Sequence, residues 1–100
     1  MIVIRGEIEL DTVDDSAFAA AITPLVTATQ GEPGCAEYRF WRDVSQSGRF
    51  HVFEEWDDEA SLDAHSAGPA LASYRQAVAD LAIHRVSIVR YDVAGRTVLR

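Results

Sequence analysis

Hydrophobic and polar residues alternate along the first ten positions of the chain. The even-numbered positions carry Ile2, Ile4, Ile8 and Leu10, and charged residues occupy most of the odd-numbered positions. Positions of one parity, even or odd, point to the same side of a strand. This period of two predicts a strand with one buried face. Gly6 lies on that same face, which predicts that another part of the molecule approaches the backbone closely there.

The following residues change to helical spacing. Phe18, Ile22 and Leu25 recur at intervals of three to four, which predicts an amphipathic helix that runs to Gly31. Pro24 interrupts this pattern. We expect it to kink or loosen the helix, at a cost of about 3 kcal/mol if it is truly interior.

Two segments rich in aromatic residues then predict a β-hairpin. A strand over 35–44 and a returning strand over 49–56 flank the turn-like sequence 45–48. The returning strand carries large apolar side chains on both parities, Phe50 on one and Phe53 on the other. This pattern predicts a sheet that is covered on both sides.

The rest of the chain predicts a broken helical segment and a last strand. Acidic residues at 57–59 favour a helix start, Gly68-Pro69 predicts a break, and a second helix carries Tyr74. A final strand follows over 83–93. The order β-α-β-β-α-β is the ferredoxin-like arrangement, an α+β fold with an antiparallel sheet and helices on one face.

This arrangement leaves the second face of the sheet bare. Because both parities of the central strands are apolar, a monomer would expose a sizeable hydrophobic patch, and such patches usually mark an interface. A twofold partner packing sheet against sheet would cover it, so the sequence predicts a homodimer.

Composition limits the class of protein. One hundred residues suit a single domain over 1–100, with 48% apolar and 25% charged residues. The net charge of −7 and nine scattered arginines argue against a nucleic-acid partner. No stretch approaches the roughly 20 apolar residues that span a bilayer. With a single cysteine and no signal-like start, the sequence predicts a cytoplasmic protein with no membrane partner.

Several short segments follow one another in a specific order and spacing. They are Gly31-Glu32-Pro33-Gly34-Cys35, Tyr38, Arg49-Phe50, Glu54-Glu55-Trp56 and Ala60-Ser61-Leu62-Asp63-Ala64-His65. This series resembles the antibiotic biosynthesis monooxygenase (ABM) domain family, and its quinol-oxidising members in particular. The resemblance implies a dimeric α+β barrel, a cavity between each sheet and its helices, and oxidation of an aromatic substrate without a cofactor.

His65 is the leading candidate for a catalytic residue. It shares a helix face with Leu62, so it should point inward, and the quinol-oxidising members resemble this sequence in having a histidine here. An imidazole titrates near neutrality and could take a phenolic proton. The alternative is a half-buried histidine bonded to a backbone carbonyl.

Three aromatic residues are further candidates. The resemblance implies that Trp56 lies at the cavity wall and contacts substrate, although a core tryptophan is the plainer alternative. The hydroxyl of Tyr74 could donate to a bound oxygen atom and so take part in catalysis, or the ring could simply pack. Tyr38 belongs to the segments that resemble the family, and we predict that it binds substrate.

Glu54 shares the parity of Trp56 and is a further substrate-binding candidate. A structural ion pair with Arg39 or Arg85 is the alternative, because buried carboxylates usually have such partners. Cys35 has no nearby base in sequence and is expected to be a small buried hydrophobe. No spacing predicts a metal site.

Departures from the family pattern concern cofactor binding. Haem-degrading relatives have an Asn on the first strand and an axial His near the position of Arg75. This chain offers Arg5, Gly6 and Glu7 on that strand, so we expect neither haem nor another cofactor.

The functional hypothesis is a cofactor-independent monooxygenase that oxidises a phenolic, hydroquinone or polyketide-like aromatic substrate with O₂. Its alternative is a non-catalytic small-molecule-binding or structural dimer of the same fold. A non-redox isomerase is a third option.

Overall fold

The computed structural model describes residues 1–100 as four strands and three helices. The elements are β1 (Ile2–Leu10), α1 (Asp15–Gln30), β2 (Cys35–Arg42), β3 (Arg49–Trp56), α2 (Glu59–Ser66), α3 (Pro69–Ala77) and β4 (Ile83–Asp92). All neighbouring strands are antiparallel, in the order β2-β3-β1-β4. The predicted ferredoxin-like α+β fold is confirmed. None of the helices has the length and apolar character needed to cross a membrane.

Two adjoining hydrophobic clusters fill the space between the sheet and the helices. One is built around the buried Trp56 and the other around Phe18 and Phe50, whose ring centroids lie 4.7 Å apart. Phe40 and Tyr74 pack against both clusters and so join them. The core therefore lies on one face of the sheet.

Helix α1 continues through Pro24 as a single element, so the proline does not end the helix. Pro24 is exposed, and Ile22 and Leu25 beside it face the core. The carbonyl that Pro24 leaves without an amide partner is thus on the solvent side, where water can bond it. The cost of the proline is consequently smaller than in a buried helix interior.

Strand β4 departs from the simple alternation of its sequence. The register shifts between Glu9 and Leu10, so that Arg85 pairs with Glu9 but Ile83 pairs with Leu10. Ile83 packs against the core, whereas the alternation puts it on the same face as Arg85. One extra residue in a bulged strand reverses the facing of everything beyond it, which explains the difference.

Gly6 lies in the middle of β1, between the two neighbouring strands. A Cβ at this position would come within 2.6 Å of Val52 Cγ1 and 2.5 Å of Ile88 Cδ1. The predicted close approach is confirmed. The side chains that occupy the space belong to β3 and β4, the strands that flank β1.

The sheet face opposite the helices is uncovered within one chain. Its apolar side chains are Val3, Trp41, Phe53, Val89 and Tyr91. They are accompanied by ion pairs between Glu9 and Arg49 and between Glu7 and Arg85. We call this set of residues the open sheet face.

Candidate active site

A half-open cavity of about 440 Å³ lies between the sheet and the segment formed by α2 and α3. Ile4 and Val52 of the central strands line it from the sheet side, and Leu62 and Leu71 line it from the helices. This volume falls in the range of sites that hold small organic ligands. Most of the residues that line the cavity are hydrophobic, 11 of 15.

The cavity opens towards β4. Val86 and Ile88 line its edge and are 57% and 54% exposed, although they point to the helix side of the sheet. The helices pack mainly against β2 and β3 and leave the part of this edge strand at Val86 and Ile88 uncovered. A ligand can therefore enter between β4 and the α2–α3 segment.

His65 lies deep in this cavity, as the sequence predicts. Its side chain is 4% exposed, and its ring packs 4.9 Å from the ring centroid of Trp56 and 5.4 Å from that of Tyr38. Its Nδ1 lies 2.7 Å from Oε1 of Glu32. The partner of His65 is thus a carboxylate, and not the backbone carbonyl of the alternative hypothesis.

This contact determines which nitrogen of His65 is free. An ionised carboxylate can only accept hydrogen bonds, so Nδ1 carries the hydrogen and donates it to Glu32. The other ring nitrogen, Nε2, has no hydrogen-bond partner within the protein. In the neutral imidazole this nitrogen carries a lone pair and can accept a proton from a ligand.

A tight turn holds Glu32 against helix α2. Gly34 has φ +77° there, and a Cβ on it would overlap the side chain of Ser61. The carbonyl of Gly34 accepts a bond from the amide of Asp57 at 2.9 Å. The carboxylate of Asp58 caps α2 by accepting from the amide of Ser61 at 2.8 Å. These contacts hold the turn at Gly34 against the start of α2, one helix turn before His65.

Glu54 is a buried carboxyl group in the same cavity. It is 8% exposed, and its Oε1 accepts a hydrogen bond of 2.8 Å from Nε1 of Trp56. Burial raises the pKa of Glu54, against the opposing effects of the Trp56 bond and of His65. The alternative for Glu54, an ion pair with Arg39 or Arg85, is absent, because these arginines pair with Glu37 and Glu7 on the opposite face of the sheet.

Trp56 is fully buried and lies behind His65 and Glu54. The residues that line the cavity do not include it. The structure therefore gives Trp56 the core position that the sequence left as an alternative, in which it contacts both titratable side chains.

Tyr38 and Tyr74 both line the cavity. Burial raises the pKa of each phenol, and neither hydroxyl is bonded to another protein group. Both phenols therefore remain protonated at neutral pH and can donate to an oxygen atom of a ligand.

Sequence reasoning did not identify every residue of this site. Glu32 belongs to the motif that indicates the family, but no spacing indicates that it meets His65, which is 33 positions away. Ser66 and Arg75 also line the cavity, each one helix turn after an inward-facing leucine, Leu62 and Leu71, so helical spacing could have indicated them. The cavity-lining residues of β4, Val86 and Ile88, alternate along that strand in the same way. Cys35 lies outside the cavity, and burial raises the pKa of its thiol to about 11.

The fold and cavity define a class of protein: a small ferredoxin-like α+β domain with an internal site between sheet and helices. The sequence profile of the family described as "Antibiotic biosynthesis monooxygenase" matches residues 1–80. The chain belongs to this family. The resemblance seen in the sequence is confirmed at the level of the ABM family.

Individual relatives are similar over most of this chain. The uncharacterized protein sll1783 of Synechocystis is 29% identical over 93 residues, which are 93% of this chain and 63% of that protein. This chain therefore spans less than two thirds of that relative's length. Rv0793 of Mycobacterium tuberculosis, provisionally named a monooxygenase, is 29% identical over 73 residues, 73% of this chain and 71% of that protein.

Solved structures share the fold. A Deinococcus radiodurans protein, provisionally named an antibiotic biosynthesis monooxygenase, superimposes with a TM-score of 0.90 at 23% identity, covering 100% of this chain and 99% of that one. The structure of Rv0793 superimposes with a TM-score of 0.86 at 22% identity, covering 97% of this chain and 98% of that one.

Proposed function

We propose that this protein is a cofactor-independent monooxygenase that oxidises a phenolic, hydroquinone or polyketide-like aromatic substrate with O₂. The observation that carries the proposal is the free Nε2 of His65, in an apolar cavity, on a ring whose Nδ1 is held by Glu32. Independence from a cofactor is what the family resemblance implies. The family and the name of Rv0793 support monooxygenation as the type of reaction.

The chemical problem is the spin of oxygen. O₂ is a triplet, so direct attack on a closed-shell aromatic molecule is forbidden, and the substrate must first become a good one-electron donor. Removing a proton from a phenol or enol achieves this. Neutral His65 is the proposed base, since Nε2 can form the new N–H bond while Glu32 stabilises the resulting imidazolium.

The remaining steps balance without an added reductant when the reacting carbon carries two hydrogens, as in an anthrone. The enolate gives one electron to O₂, and the substrate radical and superoxide join through a new C–O bond. The imidazolium returns its proton to this peroxide. The O–O and remaining C–H bonds then break, leaving a carbonyl on the substrate and one water.

The aromatic lining assists this chemistry in two proposed ways. The hydroxyl of Tyr74 donates to the substrate oxygen on which charge develops, with Tyr38 as a second donor. The apolar walls keep water from the radical pair. Trp56 contributes by packing against the ring of His65 and by donating a hydrogen bond to Glu54, which restricts the positions of both side chains.

The proposed assembly is a homodimer in which the open sheet faces of two chains pack together. A partner would cover Trp41, Val89 and Tyr91, which are 47%, 37% and 43% exposed in one chain. The ion pairs on the same face are then placed where they can set the register between the two chains.

Oxygen consumption tests the proposal. Metal-stripped protein is mixed with anthrone and with 1,4-dihydroxynaphthalene, and uptake is compared with buffer alone and with His65→Ala. We expect saturable uptake, with one oxygen atom from ¹⁸O₂ in the product. Saturable binding without any uptake would instead support the non-catalytic small-molecule-binding hypothesis.

A further inference from the structure

We propose that Arg75 binds an acidic group of the substrate, so that the cavity takes an aromatic acid: a phenol or hydroquinone whose ring system carries a carboxylate. This inference rests on the proposed function, because it assigns a substrate class to the same cavity. The ring system would lie among the apolar walls near His65, and the carboxylate would lie at the mouth.

The first observation is that Arg75 lacks a carboxylate partner in an acidic protein. The chain has nine arginines and 16 acidic residues. The arginines that form ion pairs within 4.0 Å are Arg5, Arg39, Arg42, Arg49, Arg85, Arg90 and Arg96. Only Arg75 and the last residue, Arg100, remain, so Arg75 is the sole unpaired arginine within a helix or strand.

The second observation is the location of this unpaired cation. Arg75 is exposed at the last turn of α3 and lines the same cavity as His65 and Glu54. It is the only lysine or arginine that lines the cavity, and hence the only permanent positive charge there. A group at the mouth that is both charged and unpaired can bind a ligand without first breaking an ion pair.

The location of Arg75 near the end of helix α3 does not by itself explain why its side chain is unpaired. Basic residues near a helix C-terminus can bond the last carbonyl groups. In α3 the carbonyls of Tyr74 and Gln76 already accept backbone amides, those of Val78 and Ala79, at 3.1 and 3.3 Å. The guanidinium of Arg75 makes no hydrogen bond to the protein, so its donors remain available.

The other titratable groups of the cavity are compatible with an anion at the mouth. Burial favours the neutral form of Glu54, and both cavity tyrosines stay protonated. The planar guanidinium offers two parallel N–H donors, which match the two oxygens of a carboxylate. One guanidinium with this pair of donors fits a single carboxylate on an otherwise apolar ligand.

Ligand binding tests this inference without requiring turnover. The probes are 3-hydroxy-2-naphthoic acid, its methyl ester and 2-naphthol, each titrated calorimetrically into the wild type, Arg75→Gln, Arg75→Lys and Arg100→Gln. Arg100→Gln is the matched control, since it removes the same charge at an exposed position that does not line the cavity. Folding of every variant is checked by its melting temperature.

We expect the wild type and Arg100→Gln to bind the acid about 10-fold or more tightly than the ester. Arg75→Gln should lose this preference with unchanged ester affinity, and Arg75→Lys should keep part of it. The preference should also weaken as salt is raised. Equal affinities for acid and ester in the wild type would overturn the inference, as would a preference that survives in Arg75→Gln or a failure to bind any probe.

This outcome is separable from that of the proposed function. A carboxylate preference that depends on Arg75, found together with no oxygen uptake, would overturn the monooxygenase proposal alone. Oxygen uptake with neutral hydroquinones and no preference for acids would overturn the role of Arg75 alone.

Discussion

Glu32 and His65 are 33 positions apart in the chain, yet Oε1 of the first lies 2.7 Å from Nδ1 of the second. The pair consists of a part-exposed carboxylate, with a side-chain exposure of 23%, and a nearly buried imidazole, with 4%. A positive charge on His65 would have little water around it to stabilise it. Glu32 is therefore the group best placed to stabilise an imidazolium in this cavity.

Replacing Glu32 tests whether it acts through His65 as a positioning residue. Glu32→Gln keeps an oxygen that can accept from Nδ1 but removes the negative charge. We expect kcat to fall about 10-fold or more. The imidazolium formed during the reaction is then less stable, so the loss should appear in kcat while KM changes little.

The matched control for this experiment is Glu59→Gln. It removes the same charge on helix α2, where Glu59 pairs with Arg90 and not with His65, and its kcat and KM should equal those of the wild type. Glu32→Asp should recover part of the rate. A lower melting temperature in Glu32→Gln with an unchanged kcat would assign Glu32 a purely structural role.

Replacing His65 tests the proposed base directly. His65→Ala should lower kcat by about 10²-fold or more, and the wild-type rate should rise with pH because only neutral imidazole accepts a proton. A role limited to packing would instead cost roughly 1 kcal/mol of unfolding free energy and leave turnover intact. Rate and melting temperature are measured on one preparation.

A second series varies the substrate in place of the protein. More acidic phenols need less help to ionise, so they should partly restore the rate of His65→Ala. His65→Gln, which keeps a polar side chain of similar length, should behave in the same way. Identical rates for mutant and wild type across the series would remove His65 from the mechanism.

Glu54→Gln is expected to stabilise the protein at neutral pH. Because burial raises the pKa of Glu54, the folded state prefers the protonated form, and stability decreases as pH rises above the ordinary carboxyl range. A neutral amide avoids this cost and can still accept from Nε1 of Trp56. The gain should be present at pH 7 and should vanish near pH 4, where the carboxyl group is protonated in both states.

Urea unfolding at both pH values measures this effect. Glu37→Gln is the control, since Glu37 lies on the open sheet face with Arg39 as its partner, and it should not show the pH-dependent gain. An equal loss of stability in Glu54→Gln at pH 4 and pH 7 would show that the carboxylate is not destabilising.

The homodimer is tested by mass. The chain is 11.0 kDa, so sedimentation equilibrium at micromolar concentration should give a mass of about twice this value. We expect the dimer interface to bury well over the roughly 1,000 Å² of surface that separates biological interfaces from crystal contacts. Val89→Arg, which places a charge on the open sheet face, should shift the mass towards the monomer. A wild-type mass near 11 kDa would exclude the dimer.

Local patterns in the sequence determined the element order and most of the fold. Alternation identified β1, and the hairpin signals located β3 at 49–56 as observed. These predictions succeed because strand and helix periods follow from which face each element buries. The inward position of His65 follows from the same reasoning, since it depends only on the periodicity of one helix.

Tertiary structure decided the features that depend on contacts between distant segments. The bulge in β4 reversed the facing of Ile83, although the local alternation indicates otherwise. The partner of Glu54 proved to be Trp56, because Arg39 and Arg85 project from the opposite side of the sheet. A register shift of one residue is invisible to a period of two until the neighbouring strand is known.

The sequence by itself thus identified His65, Glu54 and the two tyrosines as candidates, and the tertiary structure decided which residues they meet. The turn at Gly34 brings Glu32 to His65, and the end of α3 brings Arg75 to the same cavity without a partner. Neither the contact between Glu32 and His65 nor the missing partner of Arg75 leaves a local signal. The physical reason is that contacts across a fold depend on how whole elements pack, whereas sequence periodicity records only the face that each element buries.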